Sequence, residues 1–293
     1  MTDAADFEAE REAMIRLAYR MLGSVADAED VVQDAYVRWH RAGRPELASP
    51  RAWLVRTCTR LCLDRLKSAQ RQREAYVGQW LPEPIVEPID RAEVDETLSM
   101  ALMLTIDRLA PAQRAAFLLH DVFGYEFREI AEILSLQEAH CRQLARRARQ
   151  KLRAEPRKPE GDGDTVRRVT RAFFDAIETG DLDALQAVLA ADVVLRSDGG
   201  GKAAAVAYPM EGATAVSRFF QRVFLKKPRP FDVQSAWFNG APGVLLREEG
   251  TIVSAFQFLV VEGAICGIFV QRNPDKLAVF ERDRVHHHLP PRS

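Results

Sequence analysis

YEFREIAEILSLQEAHCRQLARRARQKLR, residues 125 to 153, is the stretch whose reading decides the class of this protein. It predicts two helices joined by a tight turn at Ser135–Gln137. In the second, Cys141, Leu144, Ala145, Ala148 and Leu152 recur at steps of three and four, which makes one buried stripe. The opposite face carries Arg142, Arg146, Arg149 and Arg153 at the same steps. An apolar back with a guanidinium front suits a recognition helix lying in a DNA major groove. Arginine fits that place because its planar fork binds phosphate, or the O6/N7 edge of guanine, through two hydrogen bonds. The preceding helix is acidic (Glu126, Glu129, Glu132), so its expected part is support. Ser135 and Glu138 have capping-box spacing, and Gln137 is the alternative cap. The competing reading is a solvated basic helix of an ordinary bundle.

Outward from this unit, the chain of 293 residues carries a net charge of −1, which argues against a uniformly basic nucleic-acid binder. The charge is uneven, however. Residues 51–73 hold seven Arg or Lys against Asp64 alone, and residues 138–158 hold eight against Glu138 and Glu155. Two separate basic segments point to two DNA contacts. The four cysteines (Cys58, Cys62, Cys141, Cys266) form no CxxC pair and sit in apolar patterns. Reduced core cysteines and a cytoplasmic location are expected. No signal peptide and no apolar run of about 18 residues is present, so nothing is expected to span a membrane.

On the N-terminal side, Phe7–Leu22 has helical spacing and ends at Gly23. Asp27–His40 (DAEDVVQDAYVRWH) turns Val32, Ala35, Tyr36 and Trp39 inward and presents Asp27, Asp30, Gln33 and Asp34 outward. Acidic residues near a helix start are also favoured by the macrodipole alone. After the loop Ala42–Ser49, a long helix over Arg51–Arg73 has Trp53, Leu54, Leu61 and Leu66 on one side. Arg56, Arg60, Lys67 and Arg71 lie on the other. Gln79–Asp90 (QWLPEPIVEPID) has three prolines, which disfavour helix and extend the chain. Its Trp80, Leu81, Ile85 and Val86 predict that part of this linker is buried. Leu98–Leu109 and a helix opened by Pro111 lead back to the starting stretch.

On the C-terminal side, Arg157–Gly163 reads as a boundary. Val166–Ile177 and Leu182–Leu189 read as helices, Val193–Arg196 as a strand, and Glu211–Phe224 as an amphipathic helix. Phe231–Phe238, Val244–Arg247, Thr251–Val260 and Ala264–Gln271 then alternate as strands, with turns at Asn239–Gly243 and Glu262–Gly263. Helices followed by a curled antiparallel sheet make an α+β domain. Asp198–Lys202 (DGGGK) lacks the GxxxxGK[ST] spacing of a phosphate loop. Three consecutive glycines allow close backbone approach, or a mobile turn. His120 and His140 are too isolated for a metal site, and His286–His288 reads as a solvated tail. No metal or cofactor is expected. Asp175, Asp192, Asp232 and Tyr208 are the residues available for acid–base chemistry in this domain, and no pair among them stands out.

The order of acidic helix, short loop, basic helix, linker and helix-turn-helix resembles the extracytoplasmic-function sigma factors of bacteria. The resemblance rests on DAEDVVQDAYVRWH, SPRAWLVRTCTRLCLDRLKS and ILSLQEAHCRQLARRARQKL. The C-terminal domain resembles the SnoaL-like cone fold, and WLPEP, DGGGK and NPDKL (Asn273–Leu277) together resemble the group of these sigma factors with a fused SnoaL-like extension. The implied fold is multidomain: two all-α sigma domains, the second with the helix-turn-helix, followed by an α+β cone. The implied boundaries are 1–75 for region 2, 76–94 for the linker, 95–155 for region 4 and 164–285 for the extension.

The resemblance implies bacterial core RNA polymerase and promoter DNA as partners, and no catalysis by this chain. Asp30, Gln33 and Asp34 fall where the family docks on polymerase, and Ala42–Ser49 matches the loop that captures a flipped −10 base. Arg56, Arg60 and Asp64 are implied in −10 recognition, and Arg142, Gln143, Arg146 and Arg147 in −35 recognition. Trp80, Leu81, Pro82, Glu83 and Pro84, with Asp198, Gly199, Gly200, Gly201 and Lys202, are the implied regulatory contacts of the extension. Ser135 and Gln137 depart from the family's frequent turn glycine and cap serine. A non-sigma helix-turn-helix regulator, whose C-terminal pocket binds a small effector, remains the alternative.

Overall fold

The computed structural model of the chain describes residues 3–42, 49–74, 76–86, 99–154, 163–225 and 231–282. The chain forms two compact units, one of residues 1–75 and 102–156, the other of residues 76–101 and 157–293.

In the first unit α1 (Asp3–Leu22), α2 (Val25–Arg41) and α3 (Pro50–Glu74) pack on one another. Gly23, in the left-handed region with φ 72, ends α1 by donating its N–H to the Tyr19 carbonyl at 2.6 Å. Ser24 then caps α2, its Oγ accepting from the Asp27 N–H at 3.2 Å, so two adjacent residues make the corner. Met14, Leu17, Val31, Val32, Trp39, Leu54, Cys58 and Cys62 are buried in this unit. Tyr36, expected inside, is 38 % exposed, with its ring edge-on to Phe7 at 4.8 Å. The helical period places it at the margin of the apolar stripe, where a phenol keeps its hydroxyl wet.

The same unit continues with α4 (Met100–Asp107), α5 (Pro111–Phe117) and a π-helical turn over Leu118–Val122. The helix-turn-helix proper is α6 (Phe127–Leu134) and α7 (Glu138–Ala154). Pro111 stands at the first position of α5, where its missing N–H removes no helical bond. Ala116, Leu144 and Ala145 form the buried seam of α5 and α7, with Phe127, Leu134 and Leu136 against it. The choice of cap is resolved: the Gln137 carbonyl accepts from the Cys141 N–H at 3.1 Å, whereas Ser135 ends α6 in the left-handed conformation.

The second unit opens with α8 (Gly163–Thr179) and α9 (Leu182–Ala187). The strands are β1 (Leu189–Asp198), β2 (Met210–Glu211), β3 (Asp232–Phe238), β4 (Ala241–Glu248), β5 (Thr251–Val261) and β6 (Ala264–Gln271), with α10 (Ala213–Leu225) between β2 and β3. They make one sheet in the order β2-β1-β6-β5-β4-β3. The expectation of a wholly antiparallel sheet is corrected, because β1 pairs with β6 in parallel. Intervening β2 and the β3–β4–β5 meander form the long crossover that a parallel pair requires. Asn239 and Gly240, both at positive φ (50 and 64), make the β3–β4 hairpin, the dipeptide that suits a mirror-image turn.

One sheet face is covered by a cluster that includes Phe173, Phe174, Phe220, Phe256 and Phe258. Phe173 is fully buried and meets Phe174, Phe220 and Phe258 at ring-centroid distances of 5.3, 5.1 and 5.2 Å. A second cluster joins Phe238, Leu245, Ile252 and Ala255 to Leu277 and Phe280 from α11 (Pro274–Leu277) and α12 (Val279–Arg282). This sheet is therefore apolar on both faces.

Candidate nucleic-acid interface and linker clamp

α7 has the buried and exposed faces that its periodicity predicts. Cys141, Leu144, Ala145 and Ala148 are buried, while Arg142, Gln143, Arg146 and Arg147 are exposed. They are not equivalent. Arg142 pairs with Glu138 one turn back, and its guanidinium lies 5.6 Å from the Phe127 ring centroid. Arg149 is held by Asp121 at 2.6 Å. The expectation that it fronts the basic face therefore gives way to a packing role for Arg149. Burial pushes the Cys141 thiol above its usual range, so it stays protonated as a packing group.

Asp30, Gln33 and Asp34 all lie exposed on α2, three and four residues apart and so on one face. Asp30 is not bare: Arg65 of α3 reaches it at 2.8 Å and Asp27 at 3.1 Å. On α3, Arg56, Arg60 and Asp64 recur every four residues and are exposed. Asp64 pairs with Lys67 at 3.1 Å. Trp53 is half-buried with its ring 5.4 Å from that of Trp39, which makes it a packing residue. Residues 43–48 of the loop Ala42–Ser49, and the side chain of Arg71, lie outside the described residues, as does His286–His288.

In the second unit, residues 76–86 of the linker are folded onto the C-terminal fold. Leu81, Pro82 and Pro84 are buried. Ile85 exchanges two hydrogen bonds with Asn239, its N–H donating to Oδ1 at 3.1 Å and its carbonyl accepting the Asn239 N–H at 2.8 Å. Val86 forms a bridge to Phe238 at the open edge of the sheet. Ile85 and Val86, both half-buried, thus cover a strand edge that would otherwise be unpaired.

Asp198 is the centre of this clamp and is fully buried. Its carboxylate accepts from the Tyr76 hydroxyl at 2.7 Å, the Leu81 N–H at 2.9 Å, the Gly200 N–H at 2.9 Å and Lys276 Nζ at 2.7 Å. Lys276 Nζ also donates to the Leu81 carbonyl at 2.6 Å. The ammonium lies 4.7 Å from the Trp80 ring centroid and 5.2 Å from that of Tyr76. A buried ion pair persists only when its remaining valences are satisfied, and here they are. Burial and the neighbouring Asp198 carboxylate raise the Tyr76 phenol well above its usual range.

The glycines follow from the same packing. A Cβ on Gly199 would meet the Ala203 carbonyl at 2.1 Å, and on Gly200 the Asn273 amide at 2.3 Å. At Gly201, φ 71 is strained for any side chain and Val77 stands 3.1 Å from where a Cβ would lie. Lys202 reaches Asp275 at 2.5 Å on the surface, where such a pair adds little. WLPEP, DGGGK and NPDKL, far apart in sequence, therefore meet at one place. Trp80 and Glu83 are half-buried in it.

Sequence reasoning missed Tyr76, Asn239, Gln271 and the individual roles of Asn273 and Lys276. Gln271 Nε2 donates to the Pro82 carbonyl at 3.5 Å, and Asn273 Nδ2 to the Tyr76 hydroxyl at 2.9 Å. The available signal was composition: an apolar, Pro-rich linker needs a surface, and an Asn–Gly hairpin beside apolar strands offers carbonyl and amide groups to it. Asp175, Asp192 and Asp232 are exposed, and Tyr208 is 81 % exposed. None of the four lies among the phenylalanines.

This combination defines a promoter-recognition protein of the sigma-70 type. Residues 7–72 match Sigma-70 region 2, residues 99–152 match Sigma-70, region 4, and residues 170–254 match the SnoaL-like domain. The ECF RNA polymerase sigma factor SigJ of Mycobacterium tuberculosis is 37 % identical over 294 residues, which cover 94 % of this chain and 93 % of SigJ. The probable ECF sigma factor SigI of the same species is 38 % identical over 192 residues, covering 64 % and 66 %. The crystal structure of SigJ is similar with a TM-score of 0.74 at 33 % identity, over 96 % of this chain and 99 % of that one. The chain belongs to the extracytoplasmic-function sigma factors and is an alternative sigma factor with a fused SnoaL-like domain. Among the described residues no helix is long and apolar enough to cross a membrane.

Proposed function

We propose that this chain acts in the cytoplasm, recruiting bacterial core RNA polymerase to its promoters through three separate faces. Asp30, Gln33 and Asp34 dock on polymerase, an exchangeable partner for which a polar acidic surface is suited. Arg56, Arg60 and Asp64 hold the melted −10 strand. Arg142, Gln143, Arg146 and Arg147 read the −35 element. The observation that carries this reading is α7: a buried apolar back with Gln143, Arg146 and Arg147 exposed in front. Synthesis of RNA is polymerase chemistry, and the chain itself performs none. The aromatic filling of the SnoaL-like unit supports a regulatory domain that works by docking the linker.

The test uses holoenzyme on promoter DNA. Arg146→Ala and Arg147→Ala are each expected to weaken promoter binding by about 1–3 kcal/mol. A base-reading arginine should relax preference at one position, and a phosphate-binding one should lower the salt dependence instead. Wild-type promoter affinity and salt dependence in both variants would contradict the −35 assignment. The regulatory assignment has its own check: substitutions at Asp198 or Trp80 that leave the fold intact should alter the rate of promoter-specific transcription.

A further inference from the structure

Ser135 is the one non-glycine residue of the helix-turn-helix with a left-handed backbone. It sits at φ 56, in the left-handed region where glycine is favoured because a Cβ crowds the following carbonyl. Serine is less at ease there than glycine, and its hydroxyl has a partner within the first unit. Arg60 of α3 reaches the turn, its Nη2 donating to Ser135 Oγ at 2.5 Å and its Nε to the Ile133 carbonyl at 3.4 Å. The neighbouring contacts run between the same two helical sets. Arg51 Nε donates to the Tyr125 hydroxyl at 3.4 Å, and buried Arg114 donates through Nη1 to the Met21 carbonyl at 2.5 Å. The Arg20 guanidinium lies 5.6 Å from the Phe123 ring centroid.

This contact has a geometric consequence. The −10 and −35 elements are about 25 base pairs apart by their own positions, or roughly 85 Å of duplex at about 3.4 Å per pair. A −10-binding arginine that is hydrogen-bonded to the turn of the −35-reading motif cannot serve both elements. We infer that Arg60 and Ser135 form a latch inside the DNA-binding half, which holds the chain in a promoter-incompetent arrangement until Arg60 exchanges the turn for DNA. The inference rests on the assignment of α3 and α7 to the two promoter elements. Ser135 takes part in the latch through its side-chain hydroxyl. A glycine at that position would keep the turn and remove the acceptor.

Ser135→Gly and Ser135→Ala separate a latch from a merely tolerated strain. Both remove the hydroxyl; only glycine relieves the backbone. In the full chain, a dye pair at Lys67 and Gln150, both exposed, reads the separation of α3 from α7. The latch predicts a longer mean separation in both variants. It also predicts tighter apparent binding to core polymerase by the factor through which the open fraction rises. Unchanged separation in both variants would overturn it, because the hydroxyl would then hold nothing, and so would opening in the alanine variant alone, which would report lost stability of the turn. Opening in the glycine variant alone would overturn it too. The separation is read without transcription, so it judges the latch independently. Failure of the wild-type chain to support any promoter-specific initiation would instead sink the promoter-element assignments.

Discussion

Asp198→Ala is expected to be among the most damaging single substitutions in the C-terminal unit. It removes the acceptor of four hydrogen bonds at once and leaves the buried ammonium of Lys276 without its counter-charge. Breaking a buried pair from one side costs about 3–5 kcal/mol. For a unit of this size that corresponds to a fall of roughly 10 °C in Tm. The Leu81 and Ile85 amides should exchange faster with solvent as the linker leaves the sheet. A second substitution, Lys276→Met, should restore part of the loss, because the stranded charge is then gone while the aliphatic volume stays. If the single and double variants melt together, the pair is not the source of the effect.

The same clamp sets an alkaline limit. The Tyr76 phenol is raised above its ordinary value of 10.0 by burial and by Asp198. A raised pKa in the folded state means that the protonated phenol contributes stability below pH 10.0 and loses it as pH rises through the folded value. Tyr76→Phe should therefore flatten the alkaline limb of the stability curve. An unchanged limb would show that Tyr76 does not titrate with unfolding.

Phe173→Ala is expected to match Asp198→Ala in size through a different cause. Phe173 is fully buried and touches three other phenylalanine rings. Truncating such a ring costs about 3–5 kcal/mol from lost transfer free energy and the cavity left behind. Phe173→Leu keeps most of the volume and should cost clearly less. Denaturant titration of the two variants distinguishes them. Equal losses would mean that the ring is not packed as described.

The helical half was readable because its periods are long and its punctuation is local. The stripe of Cys141, Leu144, Ala145 and Ala148, the Gly23 stop and Pro111 at a helix start each act within one or two turns of their own element. The strands over 231–271 were readable for the same reason, by alternation between turns such as Asn239–Gly240. What alternation does not carry is partner and direction. The parallel β1–β6 pair joins residues some seventy positions apart, and nothing local in Val193–Arg196 specifies it. The clamp was legible only as separate pieces. The apolar linker, the triple glycine and NPDKL each signalled a contact. That Lys276, a residue ordinarily solvated, is the buried partner of Asp198 follows from tertiary packing alone. Arg149 and Tyr36 show the opposite limit, since periodicity assigns a face but not the neighbour that covers its margin.

Promoter-specific transcription by purified bacterial core polymerase tests the sigma role of this chain most directly. The full chain would be added to templates carrying the DNA upstream of its own gene and of its neighbours. Transcripts from a defined start are expected that depend on the chain and are lost when Arg146 and Arg147 are both replaced by alanine. No initiation on any template, with the protein alone protecting duplex DNA from cleavage, would contradict that role.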